Sequence, residues 1–238
     1  MEIGSLYVEP EPAEEQADAP ALECKDVFKI YRSGPVETVA LRGLDVRIER
    51  GELVAVLGPS GSGKSTFLHL AAALDEPSAG DVRAFGRSLA RLGEAERAEY
   101  RARELALVFQ SDNLWPALSA RENVAVALRL GGSGHLRRSV DDALELFGLT
   151  HRAEGRPSQL SGGEQQRVAI AAAAARESPL VLADEPTAEL DERNERIVLE
   201  ALARLRSQFG STVVVVTHSP RVADAVDRVI ELRDGRAA

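Results

Sequence analysis

Alternating and continuous runs of apolar residues mark three strands near the start of the chain. They are ECKDVFKIY at 23–31, GLDVRIE at 43–49 and ELVAVLG at 52–58, and the last runs directly into a glycine-rich loop. Helical spacing follows at 64–74, 119–130 and 140–147, with the loop GGSGH between the last two segments. Ser119 and Glu122 have the spacing of a capping box. The pattern therefore predicts mostly sheet at the start of the chain and helices after it.

Three later apolar runs each lead into polar residues. LALVF at 105–109 precedes Gln110, PLVLAD at 179–184 ends in Asp184, and TVVVVTH at 212–218 ends in His218. Parallel strands deliver side chains to a site in this way, at their carboxyl ends. Because strands alternate with helices along the chain, we predict an α/β fold whose mainly parallel sheet is covered by helices on both faces.

Composition narrows the class of protein. The 238 residues are 44% apolar and 28% charged, which suits one globular domain with room for a subdomain. The net charge of −9 disfavours a general nucleic-acid or anionic-membrane surface. Cys24 is the only cysteine, so no internal disulfide forms and a reducing compartment is expected. No apolar run approaches the roughly 18 residues that span a bilayer.

The first 21 residues are predicted to form an acidic disordered tail. Before Lys25, the first basic residue, the chain has seven acidic residues and three prolines. This composition is the opposite of a signal peptide, and it favours a solvated tail over a folded element.

The segment GPSGSGKST at 58–66 matches the phosphate-binding pattern G-x-x-x-x-G-K-[ST] at every fixed position, between a strand and a helix. Its glycines let backbone N–H groups surround the β- and γ-phosphates, Lys64 adds a charge, Ser65 can bind Mg²⁺, and Thr66 supports the α-phosphate. A glycine-serine linker would not end in Lys-Ser-Thr before an apolar helix. The predicted phosphate ligands are Gly58, Pro59, Ser60, Gly61, Ser62, Gly63, Lys64, Ser65 and Thr66.

LVLADEP at 180–186 supplies two adjacent acids after a hydrophobic strand. Asp184 can orient Mg²⁺ through a water, and Glu185, one residue nearer the γ-phosphate, is our candidate general base for the attacking water. The alternative for an isolated Asp-Glu pair is a solvated acidic turn. The P-loop in the same chain favours the catalytic interpretation.

Two further polar residues follow strands. Gln110 can reach Mg²⁺ or the attacking water through its amide oxygen, although such a glutamine alone is more often a surface turn residue. His218 could hydrogen-bond the γ-phosphate, although a lone histidine at a strand end is more often structural. Neither assignment stands without the other motifs.

LSGGEQQR at 160–167 places small residues before a helix-forming stretch, which leaves backbone N–H groups free to face an anion. One ATP on the P-loop would leave this second anion site, at Ser161, Gly162 and Gly163, without an anion. A two-fold dimer would use both sites, each chain binding its neighbour's nucleotide.

The ordered set of P-loop, VFQ, LSGGEQQR, LADEPT with AELD, and VTH resembles the nucleotide-binding subunit of an ABC transporter, over about residues 22–235. The resemblance implies a P-loop ATPase domain at 22–238 with a mainly parallel core sheet, an N-terminal antiparallel β subdomain and an inserted helical subdomain at about 112–159. It further implies ATP and Mg²⁺ as ligands.

The resemblance also implies roles for single residues. Tyr31 would stack on adenine, although an aromatic residue ending a strand can equally belong to core or edge packing. Gln110 would sense the γ-phosphate and contact the permease, and Asp191 would lie at the dimer seam. In such proteins two subunits pack head to tail around two ATP, and residues 161–163 of one contact the γ-phosphate held by the other.

A separately encoded membrane permease is the implied partner, which would place this subunit on the cytoplasmic face of the membrane. SDNLWPALSARENV at 111–124 would dock the permease, with Trp115 either lining the docking groove or filling the helical core. The segments GPSGSGKSTFLHLAAALDEPSAG, VFQSDNLWPALSARENV and ADEPTAELD look most like the macrolide-export, lipoprotein-release and cell-division group. Alanine replaces the usual arginine in IAAAAAR, and AELD is an unusual variant.

Two other classes compete with a transport ATPase. A soluble ABC ATPase acting on nucleic acid or ribosomes would carry either a long coiled-coil insert or two ATPase units, and this sequence has neither; its negative charge also disfavours nucleic acid. A small-molecule kinase would leave LSGGEQQR without a purpose.

Overall fold

The computed structural model describes residues 18–34, 36–131 and 139–238. Most of the predicted acidic tail at 1–21, and most of the predicted loop at 131–135, lie outside these ranges. Pro20 and Ala21 are buried, and the Ala21 carbonyl accepts a hydrogen bond from the Phe85 N–H at 3.1 Å. The packed chain therefore begins slightly before residue 22.

An antiparallel sheet forms from the first part of the chain. It has the order β2-β1-β4-β5, and β1 and β2 pair along their whole length as a hairpin in which Tyr31 lies opposite Thr38. These strands are β1 (Leu22–Ser33), β2 (Val36–Ile48), β4 (Ala79–Ala84) and β5 (Arg87–Ser88). The predicted antiparallel β subdomain is confirmed.

A second sheet has the order β10-β9-β3-β8-β7-β6. All of its neighbours are parallel except β9 and β10. The strands are β3 (Leu53–Leu57), β6 (Leu105–Val108), β7 (Leu180–Asp184), β8 (Thr212–Thr217), β9 (Arg228–Arg233) and β10 (Arg236–Ala237). The three buried runs that the sequence predicts as parallel strands thus lie side by side at the centre and one edge of this sheet.

Six α-helices accompany the sheets in the described ranges, together with short 3-10 turns at Leu89–Arg91, Thr150–Arg152, Pro157–Gln159 and Pro220–Ala225. No helix among the described residues has both the length and the apolar character needed to cross a membrane. The helices are α1 (Lys64–Ala71), α2 (Glu94–Arg103), α3 (Ala120–Leu130), α4 (Val140–Leu146), α5 (Gly162–Ala175) and α6 (Glu192–Phe209).

Alternate residues of the central strands face two apolar clusters. Val54, Leu182 and Val214 join a cluster with α1 and the antiparallel sheet. Ala55 and Val215, their neighbours along the strands, join a second cluster with helices α3 to α6. The sheet is therefore covered on both faces, as the buried strands predict.

Candidate functional site

The loop between β3 and α1 has a backbone that requires glycine at particular positions. Gly61 and Gly63 have φ angles of 79° and 103°, in the left-handed region that side chains disfavour. A Cβ at Gly63 would lie 2.6 Å from the Ala40 carbonyl oxygen, and one at Gly58 would lie 2.3 Å from the Leu232 carbonyl oxygen. The loop is thus packed tightly between β2 and β9 while its tip stays exposed.

Lys64 lies across this loop. Its Nζ donates to the carbonyl oxygens of Gly58 at 2.8 Å and Pro59 at 3.0 Å, and the residue is only 8% exposed. An ammonium group has three protons, so one remains for an anion at the mouth of the loop. The charge, together with the N-terminal N–H groups of α1, makes this a site for phosphate.

Asp184 ends β7 beside the start of α1. The Ser65 hydroxyl lies beside its carboxylate and favours the charged form. Burial and then the neighbouring Glu185 charge raise the pKa of Asp184 above its ordinary value, although Ser65, His69 and Lys64 oppose the shift. A carboxylate held in this environment with a hydroxyl beside it fits a divalent cation, because the cation would relieve the electrostatic cost.

A cluster of three or more potential metal-ligating side chains of the His, Cys, Asp or Glu type does not occur in the described part of the chain. Mg²⁺ needs no such cluster when a nucleotide is present, since one or two protein oxygens and the phosphates then hold it. The assignment of Asp184 and Ser65 as the protein's share of a magnesium site stays a prediction.

Glu185 turns sharply out of β7 and contacts the end of β8. Its φ angle of 46° is uncommon for a residue with a side chain, and its N–H donates to the Val216 carbonyl oxygen at 2.8 Å. The Thr217 hydroxyl donates to Oε2 at 2.9 Å, and His218 Nδ1 lies 2.9 Å from Oε1. The structure thus brings two of the predicted catalytic residues into direct contact.

The strand ends place these groups next to the P-loop. In the sheet, Leu57 of β3 pairs with Thr217 of β8, and Val216 pairs with Asp184 of β7. The P-loop, the Asp184–Glu185 pair and His218 therefore leave three adjacent parallel strands at the same edge. The interpretation that parallel strands deliver these side chains to one site agrees with this register.

Gln110 follows β6, the next strand of the sheet, and its amide Nε2 donates to Glu189 Oε1 at 3.1 Å. The backbone carbonyl oxygen of Gln110 accepts a hydrogen bond from Gln166 Nε2 at 2.6 Å. The Gln166 side chain also donates to the Phe109 backbone carbonyl oxygen and accepts from the Asn113 side-chain amide. Gln166 is a buried residue of α5, so the Gln110 loop is tied to that helix. A role of Gln110 in metal or water binding stays a prediction.

The signature residues 161–163 begin α5. Ser161 caps the helix, its Oγ accepting from the Glu164 N–H at 3.3 Å while the Ser161 N–H donates to Glu164 Oε2 at 2.8 Å. Arg152 Nε bonds the other oxygen of Glu164 at 2.9 Å. Burial alone would raise the pKa of Glu164, but these hydrogen bonds hold it below its ordinary value.

Tight packing against α6 explains why position 163 of the signature is a glycine. A Cβ at Gly163 would lie 2.8 Å from Asn194 Oδ1 on α6, and one at Gly162 would lie 3.3 Å from Leu190 Cδ2. Asp191, predicted at a dimer seam, caps α6 by accepting from the Asn194 N–H at 2.8 Å and its side-chain amide at 3.0 Å. The signature and the Asp191 turn therefore form one packed unit within the chain.

Tyr31, the predicted adenine platform, is 40% exposed and lies beside the P-loop. Its hydroxyl donates to Asp75 Oδ2 at 3.0 Å, and Lys29 Nζ lies 4.9 Å from the ring centroid. Partial burial and then the Asp75 contact raise the pKa of Tyr31. The ring is therefore oriented by polar contacts rather than by core packing.

Trp115, for which the sequence left two interpretations open, is 62% exposed, so it does not fill a helical core. Phe109, 38% exposed, lies in the same loop between β6 and α3. Asn123 of α3 orders the loop by accepting from the Trp115 N–H at 2.7 Å. Two aromatic side chains are thereby presented on an ordered loop next to Gln110.

Several residues of the site were not singled out from the sequence. Asp75 and Lys29 orient Tyr31, Gln166 holds the Gln110 loop, and Glu195 bonds the segment after His218. The hydrogen bonds that they form join residues 24 to 56 positions apart in sequence, without a recognisable motif. Burial of a polar residue is the signal that identifies Gln166 and Glu195, and it appears only in the folded structure.

Comparisons with known proteins agree with this geometry. A family model described as ABC transporter matches residues 41–188. An uncharacterized ABC transporter ATP-binding protein of Thermotoga maritima is 44% identical over 217 residues, which are 90% of this chain and 92% of that protein.

Two solved structures are similar over most of their length. The ATP-binding cassette MJ0796, solved as a dimer in a post-hydrolysis state bound to ADP and Pi, has a TM-score of 0.82 and 38% identity, with coverage of 91% of this chain and 96% of that one. The cbiO1 protein of Clostridium perfringens, described as part of the ABC transporter complex cbiONQ, has a TM-score of 0.81 and 26% identity, with coverage of 93% and 88%. The predicted P-loop fold is confirmed.

Proposed function

The chain belongs to the ABC transporter ATP-binding protein family, and we propose that it hydrolyses ATP to drive a separately encoded membrane permease. Two copies would pack head to tail around two ATP. We treat 22–238 as one ATPase domain in which the helical segment at about 112–159 communicates with the permease. The observation that carries this proposal is the Glu185–His218 contact at the sheet edge next to the P-loop.

Nucleotide binding falls to the P-loop and Tyr31 in this proposal. The loop amides and the remaining Lys64 proton bind the β- and γ-phosphates, and Thr66 supports the α-phosphate. Tyr31 offers an exposed ring for adenine on the face away from Lys29. Thr66 lies close enough to the Tyr31 hydroxyl to act against the rise in its pKa, which fits this arrangement, because the base platform then lies beside the end of the phosphate loop.

Asp184 and Ser65 would hold Mg²⁺, with Gln110 as a further candidate ligand. When bound, the ion would neutralise charge that develops on the phosphates. The proximity of the Ser65 hydroxyl to the Asp184 carboxylate supports the assignment of both residues, since a cation could contact both oxygens. The Gln110 side-chain amide instead donates to Glu189, so Gln110 could bind the ion only after its side chain rotates.

Glu185 is the proposed general base, which accepts a proton from the water that attacks the γ-phosphate. Its Oε2 already receives hydrogen bonds from the Thr217 hydroxyl and from the His218 backbone N–H at 3.3 Å, and His218 Nδ1 lies beside Oε1, so both oxygens are oriented before substrate arrives. With both ring nitrogens protonated, His218 would donate to Glu185 through Nδ1 and to the γ-phosphate through Nε2. These groups orient the water and the phosphate for in-line attack.

The dimer is proposed from the helix start at residues 161–163, where Ser161 and Gly162 are exposed and Gly163 is buried. Ser161 caps the Glu164 N–H, and the other N–H groups of the first turn of α5 lie at the positive end of the helix dipole with no partner inside the helix. A partner's γ-phosphate would satisfy them. MJ0796 supports this proposal as a relative of the same fold that was solved as a dimer.

The permease contact is proposed for the exposed aromatic loop that carries Trp115 and Phe109. Exposed aromatic side chains on an ordered loop favour a protein interface. Such a contact would place the subunit peripherally on the cytoplasmic face of the membrane. We assign it, within the family, to the macrolide-export, lipoprotein-release and cell-division group on the motif similarities given above; no nucleic-acid partner is expected.

Release of phosphate from Mg-ATP by the purified chain tests the proposal. Wild type and a Glu192→Gln control, whose side chain is 81% exposed, should turn over equally. Glu185→Gln should lose on the order of a hundredfold or more of the rate while still binding ATP. Near-normal turnover by Glu185→Gln would remove Glu185 from the mechanism, and stimulation of wild type by nucleic acid but by no membrane partner would favour the soluble class.

A further inference from the structure

Glu195 is a buried carboxylate that the proposed mechanism does not use. It lies in the first turn of α6 and is 8% exposed. A buried charge is costly unless other groups hydrogen-bond it, so its partners show what the side chain holds in place. Both partners come from the segment that directly follows His218.

The first partner is Ser219, whose hydroxyl donates to Glu195 Oε1 at 3.1 Å. The second is Arg221, whose Nη1 lies 3.4 Å from Oε2 and whose Nη2 also reaches Glu192 at 2.7 Å. Arg221 is well exposed and shared between two acids, whereas the Ser219 bond is shorter and Glu195 is the acid that it contacts. Ser219 is therefore the main contact through which Glu195 can act.

A chain of hydrogen bonds continues from Ser219 to the candidate base. The Ser219 N–H donates to Thr217 Oγ1 at 3.1 Å, and Thr217 Oγ1 donates to Glu185 Oε2 at 2.9 Å. The His218 N–H donates to the same carboxylate oxygen at 3.3 Å. The path from Glu195 to Glu185 thus uses three hydrogen bonds and only described residues.

The segment needs an anchor because the sheet stops holding it. Strand β8 ends at Thr217, and Pro220 has no N–H to donate. His218, with a side chain 62% exposed, lies between the last ladder pair and this proline. Besides the contacts of Thr217 and His218 with Glu185, the bond from Ser219 to Glu195 ties this segment to α6.

We propose that Glu195 is a positioning residue that holds residues 217–219 so that Thr217 and His218 stay in contact with Glu185. The inference rests on the proposed function, in which Glu185 is the base. Glu195 touches neither substrate nor the reacting atoms. Its effect is on the rate of the chemical step, because a misplaced base costs turnover without weakening the phosphate contacts.

The competing explanation is purely structural. An acid in the first turn of a helix stabilises that helix through its dipole, whatever the acid contacts. That role would change the stability of the protein without a selective effect on the rate. The two explanations differ in the kinetics and in the dependence on Ser219.

Steady-state ATPase kinetics of single and double variants separate the explanations. Glu195→Ala and Ser219→Ala should each lower kcat about tenfold to a hundredfold at an unchanged KM for ATP. The double variant should be no slower than the slower single variant, since both changes break one path. Glu195→Gln keeps an acceptor oxygen for Ser219 and should retain most of the rate.

The matched control is Glu192→Ala, which removes an acid from the same helix turn and from the same arginine. It leaves the Ser219 bond intact, so its kcat should equal that of wild type. A kcat loss in Glu192→Ala equal to that in Glu195→Ala would show that general charge in this turn, and not positioning, sets the rate, and would overturn the proposal.

A second readout needs no turnover. The chain has four histidines, so the His218 ring can be assigned in a nitrogen-15 spectrum by comparison with a His218→Ala sample. Without nucleotide, Glu195→Ala and Ser219→Ala should shift the His218 ring signals, and Glu192→Ala should leave them in place. Unshifted His218 signals in Glu195→Ala would contradict the positioning role.

The outcomes distinguish this inference from the proposed function. Normal kcat in Glu195→Ala beside an inactive Glu185→Gln overturns only the positioning role. Normal turnover in Glu185→Gln overturns the proposed function and the positioning role with it. Additive losses in the Glu195→Ala, Ser219→Ala double variant would show that the two residues act independently, which also contradicts the proposal.

Discussion

Glu185 Oε1 and His218 Nδ1 lie 2.9 Å apart, although 33 residues separate them in sequence. Glu185 leaves β7 with a left-handed backbone, and His218 follows the last residue of the neighbouring strand β8. The contact fixes which ring nitrogen of His218 faces the carboxylate and leaves the other for the phosphate. It is the geometric basis for the first prediction.

His218→Ala should lower kcat by about a hundredfold while leaving ATP affinity nearly unchanged. The change removes one donor to the transferring phosphate and one contact that orients Glu185, a loss typical of removing a preorganised donor. The measurement pairs ATPase rates with nucleotide binding at equilibrium. His151→Ala, in the exposed 150–152 turn, is the control; equal losses in both variants would argue against a specific role for His218.

Gly163→Ala should destabilise the protein by about 1–3 kcal/mol, because the added methyl would overlap the Asn194 side chain. Gly162→Ala should cost less, since its nearest neighbour is the movable end of Leu190 at 3.3 Å. Urea unfolding of both variants at the same pH tests the order. A Gly163→Ala protein as stable as wild type would show that Asn194 or α6 moves to accommodate the added methyl group without cost.

Glu164→Ala should lower the free energy of unfolding by about 1 kcal/mol near neutral pH, since it removes a capping box. The folded chain lowers the pKa of Glu164, so its charge contributes stability above the ordinary value of 4.5, and that contribution is lost as pH falls through the folded pKa.

The stability gap between wild type and Glu164→Gln, which keeps a capping oxygen but not the charge, should therefore close on acidification. Urea unfolding at several pH values between neutral and acidic tests this. A stability difference between the two proteins that widens at low pH would contradict a lowered pKa of Glu164 in the folded chain.

Gln110→Ala should retain a basal ATPase rate but lose most of the stimulation by a cognate permease. The Gln110 loop is hydrogen-bonded to α5 through Gln166 and to Glu189. It therefore lies where the exposed aromatic loop, our proposed permease contact, meets α5. Reconstitution of wild type and variant with the permease compares the two rates. Equal fold-stimulation in both would show that Gln110 does not couple the sites.

The sequence predicts the central sheet because its strands are continuous apolar runs, and it predicts the P-loop because that motif is local. Helix α2 was not predicted. Its sequence EAERAEYRAR buries only Tyr100, so its charged residues show no apolar periodicity that would indicate a helix. Helix α6 was also missed, although Val198, Leu202 and Leu205 form a buried stripe among its charged residues.

The site was predictable where a residue's role follows from its own motif. Lys64, Asp184 and Ser161 are recognisable in this way. Contacts that join distant segments were not, because nothing local encodes them: Glu189 is 79 residues from Gln110, and Glu195 is an acid in a charged helix until folding buries it. Such pairings depend on the packing of whole elements.

The central claim is that each ATP site is built from the P-loop of one chain and the signature of another. Complementation between two inactive variants tests it most directly. Lys64→Ala removes the charge from a chain's own P-loop, and Ser161→Arg blocks the signature that the chain offers to its partner. Each variant alone should be inactive, because every site in its dimer carries a defect.

A mixed dimer of the two variants has one site in which both the P-loop and the signature are intact. An equimolar mixture should therefore recover up to about a quarter of the wild-type ATPase rate, because about half of the dimers are mixed and one of their two sites is intact. Recovery on mixing, and none for either variant alone at the same total concentration, is the result that the account predicts. No recovery, in a mixture shown by light scattering to contain dimers, would contradict it.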